Sequence, residues 1–147
     1  MSARGNNSDQ PEPTDADYEL LLELRTGIRL FLHWSEEQAA RAGLTAAQHQ
    51  LLLAIRGHAD PRGPTIGDVA NSLLLRHHSA VGLVDRAEAA GLVARRADEG
   101  DQRVVRLRLT PAGSRRIRQL SALHLEELTR LAPRFRALWS GLETTNS

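Results

Sequence analysis

The chain has 147 residues and a mass of 16.2 kDa, the size of one domain long enough to bury a core. Hydrophobic residues make up 41% and aromatics only 3%, so that core must be aliphatic; the absence of cysteine excludes disulfides, thiolate metal sites, thiol nucleophiles and thiol redox sensing. The net charge of +1 hides an asymmetry, −5 over residues 1–40 against +6 over residues 41–147, and a basic region beside an acidic one points to a polyanion partner.

Residues 1–14, MSARGNNSDQPEPT, are polar and nearly free of apolar side chains, which predicts a disordered tail. The tail has no apolar block of a signal peptide, and no apolar run approaches the roughly 18 residues of a membrane helix, so a soluble cytoplasmic protein without membrane contact is expected. From Asp15 to about Ala42, Leu21, Leu24, Ile28 and Phe31 recur at steps of three and four, with Leu20, Leu32 and Trp34 widening the stripe. This predicts an amphipathic helix, ended by Gly43. A second helix opens at Thr45, whose hydroxyl caps it while Gln48 reaches back; it carries Leu51, Leu52 and Ile55 and ends near Gly57. HADPRGP is a loop by its Pro and Gly content.

Thr65-Ile-Gly-Asp68 repeats the capping pattern and starts a short helix through Leu73. After Leu75 and Arg76 a longer helix runs to Ala90 and stops at Gly91. Leu92–Arg96 reads as a strand and Val104–Leu109 as its hairpin partner, with Val105, Leu107 and Leu109 facing one way and Arg106 and Arg108 the other. Thr110-Pro111 opens a long helix with Ile117, Leu120, Leu128 and Leu131 on its stripe and His124 inside it. Pro133 is expected to interrupt that helix, leaving a short final one marked by Phe135, Leu138, Trp139 and Leu142.

A short helix, a break, a second helix, an arginine-rich hairpin and a helix start, all within Thr65–Gly113, match a winged helix-turn-helix. The expected fold is mainly α with a small β-hairpin. It divides into a tail (1–14), a dimerisation helix (15–42), a DNA-binding region (43–110) and C-terminal dimerisation helices (111–147). The stripes at the two ends need something to cover them, and two long terminal helices predict that they interlock with a second copy.

Three signatures fall in order: Leu83-Val-Asp-Arg86 with Gly91-Leu-Val93, the turn Asp98-Glu-Gly-Asp-Gln-Arg103, and Leu109-Thr-Pro-Ala-Gly113. Over roughly Leu44 to Leu120 the chain resembles the MarR family of multiple-antibiotic-resistance-type regulators. The resemblance implies a homodimeric regulator of transcription that binds a pseudo-palindromic site in double-stranded DNA, with repression as the simpler mode and release by a small ligand. Three positions depart from the family pattern. Arg76 stands where a Ser or Thr usually caps the recognition helix, Gly82 where a basic residue is frequent, and Ala87 where a large apolar residue is usual.

Arg103, at the hairpin tip, is the first candidate for DNA contact. An arginine there can enter a narrow minor groove, with Asp101 holding the guanidinium in place. Arg95, Arg96, Arg106 and Arg108 flank the tip and are candidates for phosphate contacts, which give affinity and register without base information. His77, His78, Ser79 and Gly82 form the face near the start of the recognition helix, where base edges are met. Arg86 reaches a phosphate or pairs with Asp85 or Glu88, and Asp85 is read as structural.

A ligand pocket is expected where the helical layer meets the winged region, with Arg29, His33, Trp34 and His49 as candidates. Its effector would be a small organic molecule with an aromatic or anionic part that meets Trp34 or Arg29. A His-based metal-responsive regulator is an alternative, but it needs His33, His49, His58 or His124 to converge from distant helices, and neither metal nor cofactor is expected. A second alternative is a winged-helix protein-interaction module without DNA binding. It predicts a neutral or acidic recognition face, and the eight arginines from Arg95 to Arg118 oppose it. No nucleophile elbow, phosphate loop or paired-His helix is present, so the chain is not read as an enzyme.

Overall fold

The computed structural model describes residues 10–145. The expected tail lies outside the described residues over 1–9, and from Gln10 to Thr14 the chain forms neither helix nor strand. Five helices and two strands follow: α1 (Asp15–Arg41), α2 (Ala46–Arg56), α3 (Ile66–Leu73), α4 (His77–Ala89), β1 (Val93–Ala97), β2 (Val105–Leu109) and α5 (Pro111–Thr145).

The starts of α1, α2 and α3 are set by reciprocal side-chain caps. Thr45 Oγ1 accepts from the Gln48 amide at 3.0 Å while Gln48 accepts from the Thr45 amide at 3.1 Å, and Thr65 with Asp68 repeats this at α3. Thr14 and Asp17 do the same for α1. Each such cap contributes about 1 kcal/mol.

The ends of α1, α3 and α4 are set by left-handed residues. At α4, Gly91 (φ 74°) lets its own amide bond Glu88 O and the Leu92 amide bond Ala87 O, so the last carbonyls are satisfied. The same pattern closes α3, but there the left-handed position is held by Leu74, at φ 55°.

The strands pair antiparallel, with Val93 opposite Leu109, Arg95 opposite Leu107 and Arg96 opposite Arg106. Cross-strand partners share a face, so Val93 and Leu107 go to the core while Arg96 and Arg106 lie on the other side. The segment before α3 runs along β2: the Leu107 amide donates to Pro64 O at 2.8 Å, and Thr65 bridges to Arg106. Only glycine fits at Gly63 (φ 89°), where a Cβ would stand 2.4 Å from Leu107 O.

Leu51 and Leu52 of α2, Val69 of α3, Leu83 and Val84 of α4, the hairpin's Val93 and Leu107, and Ile117 and Leu120 of α5 form one buried cluster. Among the described residues it contains no Phe, Tyr or Trp, as the composition requires. Burial of each of these larger side chains contributes about 1.5–3 kcal/mol. Arg116 donates to Ala42 O and thereby joins α5 to the end of α1.

The C-terminal region differs from the sequence-based expectation. Pro133 does not interrupt the chain's last helix; α5 is one helix of 35 residues with Pro133 inside it. Proline removes one donor, the amide that would bond Thr129 O, and the turns beyond are held by packing on α1. The Phe135 ring lies 3.4 Å from where a Cβ on the buried Gly27 would stand, Leu20 faces Gly141 in the same way, and Leu138 is 7% exposed. The expected dimer stripe therefore splits. Phe135 and Leu138 pack within the chain, whereas Tyr18, Leu21, Leu22, Ile28, Leu125, Leu128 and Trp139 stay exposed. Among the described residues no helix is long and apolar enough to cross a membrane.

Candidate nucleic-acid interface and ligand cavity

Helix α4 buries Ala80, Leu83, Val84 and Ala87 and turns His77, His78, Ser79 and Arg86 to solvent. Ala87 is fully buried, so the small side chain lets α4 sit close against the core. Arg76 makes no side-chain cap, which leaves the first amides of α4 open at the positive end of the helix. Gly82 is half-buried, and the Arg86 guanidinium folds back over it, with NH1 3.3 Å from where a Cβ would be. A cation thus covers position 82 although the residue there is glycine. Arg86 does not pair with Asp85 or Glu88, because both are taken by Arg95 at 2.5 and 2.8 Å.

That pairing corrects the expectation for Arg95. Its guanidinium joins β1 to α4 through Asp85 and Glu88. Arg106 is corrected likewise. With its side chain 14% exposed, it donates from Nε to Asp98 at 3.2 Å and from NH1 to Gly63 O at 3.1 Å, pinning the loop before α3 to the hairpin. The alternation of β2 points Arg106 away from the core, but the Asp60–Thr65 segment covers that face.

Arg96 and Arg108 remain exposed. Beside them stands Arg62, 60% exposed, in a depression of about 400 Å³ that Arg96 and Arg108 also line. Sequence reasoning gives no sign of Arg62, because a cation in a Pro-Arg-Gly turn carries no positional signal. It bonds Asp60 through NH2 at 2.7 Å and holds that carboxyl well below the usual carboxylate range.

At the hairpin turn, the buried Asp98 accepts from the amides of Gly100 and Asp101 at 3.2 Å each. Asp101 accepts from the Arg103 amide and Nε at 3.1 Å and from NH2 at 3.2 Å. These bonds lower the Asp101 pKa, the Arg103 side chain first among the causes, so the carboxylate stays ionised beside its partner. Arg103 is 91% exposed. The tip therefore presents an oriented, fully solvated guanidinium.

A cavity of about 500 Å³ opens between α1, α2 and α5, lined by Phe31, Ser35, Glu36, His49, His124 and Leu125 among others. Only His49 of the four sequence candidates lines it. Trp34 does not line it but stacks on Phe31 and meets the His124 ring edge-on at 4.9 Å, and Arg29 and His33 line a separate open groove on α1. His33 pairs with Glu37 at 3.0 Å. His124, which the sequence places only on an apolar stripe, is a central group: Leu120 O accepts from its Nδ1 at 2.7 Å, and its Nε2 meets Ser35 Oγ at 2.7 Å. The His49 and His124 rings lie 4.7 Å apart. Burial first, then His124, pushes the His49 pKa down and keeps its ring uncharged. Two histidines do converge here, yet among the described residues no group of three or more His, Asp or Glu is placed to hold a metal ion.

Comparison with known proteins agrees with this geometry. The family model described as MarR family matches residues 42–104. A transcriptional activatory protein, BadR of Rhodopseudomonas palustris, is 33% identical over 104 residues, covering 67% of this chain and 59% of BadR, so the match leaves over a third of that relative unspanned. Among solved structures, a MarR family protein from Bacillus stearothermophilus is 25% identical with a TM-score of 0.73, covering 93% of this chain and 100% of the other. A Staphylococcus aureus MepR variant bound to an oligodeoxyribonucleotide is 17% identical with a TM-score of 0.66, covering 92% and 100%. The winged hairpin, the helix before it and the long flanking helices thus share one order and one fold with these proteins, and the chain belongs to the MarR family.

Proposed function

We propose that the protein is a homodimeric, sequence-specific DNA-binding regulator of transcription. The observation that carries this reading is the exposed tip: Arg103 is 91% solvated and oriented by Asp101. The open first turn of α4, with His77, His78 and Ser79 exposed, supplies a second contact element. In this reading α4 enters the major groove, Arg103 reaches the adjacent minor groove, and Arg96, Arg108 and Arg86 contact phosphates. A similar fold, the MepR variant, is bound to an oligodeoxyribonucleotide, which supports the docking mode.

The exposed apolar residues on α1 and α5 favour a second copy as their cover. A two-fold dimer then reads half-sites about one helical turn apart. Repression by blocking polymerase is the expected sign, and the cavity between α1, α2 and α5 is the place where a small molecule would release DNA. BadR is named for activation, so a promoter–reporter assay is needed to decide the sign.

Selection of bound duplexes from a random pool tests the central claim. Enrichment of an inverted repeat supports it. Recovery of no preferred sequence, with no shift of any duplex at low salt, overturns it in favour of a protein-interaction module.

A further inference from the structure

Gly82 stands on the side of α4 away from the buried Ala80, Leu83, Val84 and Ala87, one turn after His78 and one turn before Arg86. A glycine inside a helix weakens it, because it adds backbone freedom and no packing. Here the space of the missing side chain is filled from the next turn. Arg86 NH1 lies 3.3 Å from where a Cβ would stand, and Gly82 is half-buried although it faces away from the core. Long side chains of a helix lean over the turn that precedes their own Cα. Glycine at 82 therefore lets the Arg86 guanidinium lie along the outer face in the direction of His78 and Ser79, and a longer side chain at 82 would take its place.

That guanidinium is not used inside the chain. The neighbouring acids of α4, Asp85 and Glu88, are taken by Arg95 at 2.5 and 2.8 Å, and among the described residues no other group bonds the Arg86 side chain. A guanidinium carries five donors in a planar fork and keeps its charge, so it suits a pair of acceptors side by side. In the major groove guanine offers such a pair, O6 and N7, whereas adenine sets an acceptor beside a donor. Arg86 is the only arginine or lysine of α4, and the exposed groups at the helix start, His77, His78 and Ser79, form no such fork. The geometry thus brings the helix's one cation onto the face where base edges are met.

We propose that Arg86 is a specificity-determining residue, which through the gap at Gly82 reads the O6 and N7 edge of a guanine in each half-site. The proposal rests on the DNA-binding reading above and takes Arg86 from a contact that gives affinity alone to one that also gives sequence.

The test uses the full chain. Duplexes are selected from a random pool by wild type and by Arg86→Ala, and the wild-type consensus is then titrated with each of its guanines replaced in turn by 7-deazaguanine, which lacks the N7 acceptor. Arg86→Ala should enrich the same sequence except at one base pair per half-site, where the guanine preference disappears. It should bind the consensus at least about tenfold more weakly, with a loss under about threefold on unrelated duplex. At that same position 7-deazaguanine should weaken wild type by at least about threefold and leave Arg86→Ala unaffected. The Arg86 side chain is exposed, so the variant should keep the wild-type thermal melt, and the 7-deazaguanine series on wild type needs no variant. A consensus without guanine, an unchanged consensus for Arg86→Ala, or an equal loss on every duplex would each overturn the proposal and leave the DNA-binding reading standing. A wild-type protein that enriches no sequence would sink both.

Discussion

Arg106 Nε donates to Asp98 at 3.2 Å in the base of the hairpin, where the two side chains are 14% and 8% exposed. Arg103, three residues before Arg106, is 91% exposed. Two arginines of one hairpin thus have opposite physical roles. Removing one member of a buried, hydrogen-bonded ion pair strands the other, at a cost of about 3 kcal/mol. Asp98→Ala and Arg106→Ala should both lower stability by that order in chemical denaturation. The double substitution should cost less than the sum of the two, and strict additivity would refute the pairing.

Arg103→Ala should leave the denaturation midpoint unchanged, since the side chain is solvated and its ion pair lies at the surface. Its effect should be on DNA. The log–log salt slope of binding should fall by about 0.9 for each phosphate that the protein ceases to neutralise, and affinity should drop most on sequences with a narrow minor groove. An unchanged affinity across a salt series would remove the tip from the interface.

Leu74 holds the left-handed position that closes α3, at φ 55° and 92% exposed. Glycines take the corresponding positions after α1 and α4. Because a Cβ is strained there and the leucine side chain has no packing to lose, Leu74→Gly should stabilise the fold by about 0.5–1 kcal/mol. A thermal melt should rise by about 2–4 °C. A fall would mean that the leucine is packed in the dimer.

The His49 shift makes stability pH-dependent. Its folded-state pKa lies below the ordinary value of 6.5, so the unfolded chain takes up the proton first. The stability is fully present above pH 6.5 and is lost as pH falls through the lower folded-state value. The titratable groups facing the same cavity are His124 from α5 and Glu36 from α1. Urea midpoints should therefore decline below pH 6.5, and His49→Gln should flatten that decline. An identical profile for wild type and variant would assign the decline to other groups.

Leu22 and Trp139, 66% and 60% exposed on α1 and α5, should lie in the dimer interface. Leu22→Glu and Trp139→Glu should shift sedimentation from dimer toward monomer at micromolar concentration while leaving the helical signal intact. A wild-type chain that sediments as a monomer and binds DNA one to one would refute the dimer.

Local physics makes much of this molecule legible from its residues. Thr45 with Gln48, Thr65 with Asp68, and the glycines at 43 and 91 fix helix starts and stops through hydrogen bonds between near neighbours in the chain, so their outcome is carried by the nearby sequence. The Asp101–Arg103 bond is equally local. The features that sequence reasoning misplaces or overlooks depend on partners far along the chain. Pro133 remains helical because α1 packs against the turns that follow it. Arg106 is held largely out of solvent because Gly63 and Asp98 meet it, one of them 43 residues away. Arg95 is paired inside the chain because Asp85 and Glu88 face it across the α4–β1 junction. His49 and His124 form one cavity wall although 75 residues separate them, since only the packing of α2 against α5 sets their rings 4.7 Å apart. Short-range hydrogen bonds are written in the sequence; which charge is used inside the fold, and which is left facing out, is decided by the tertiary packing that buries one face of each element.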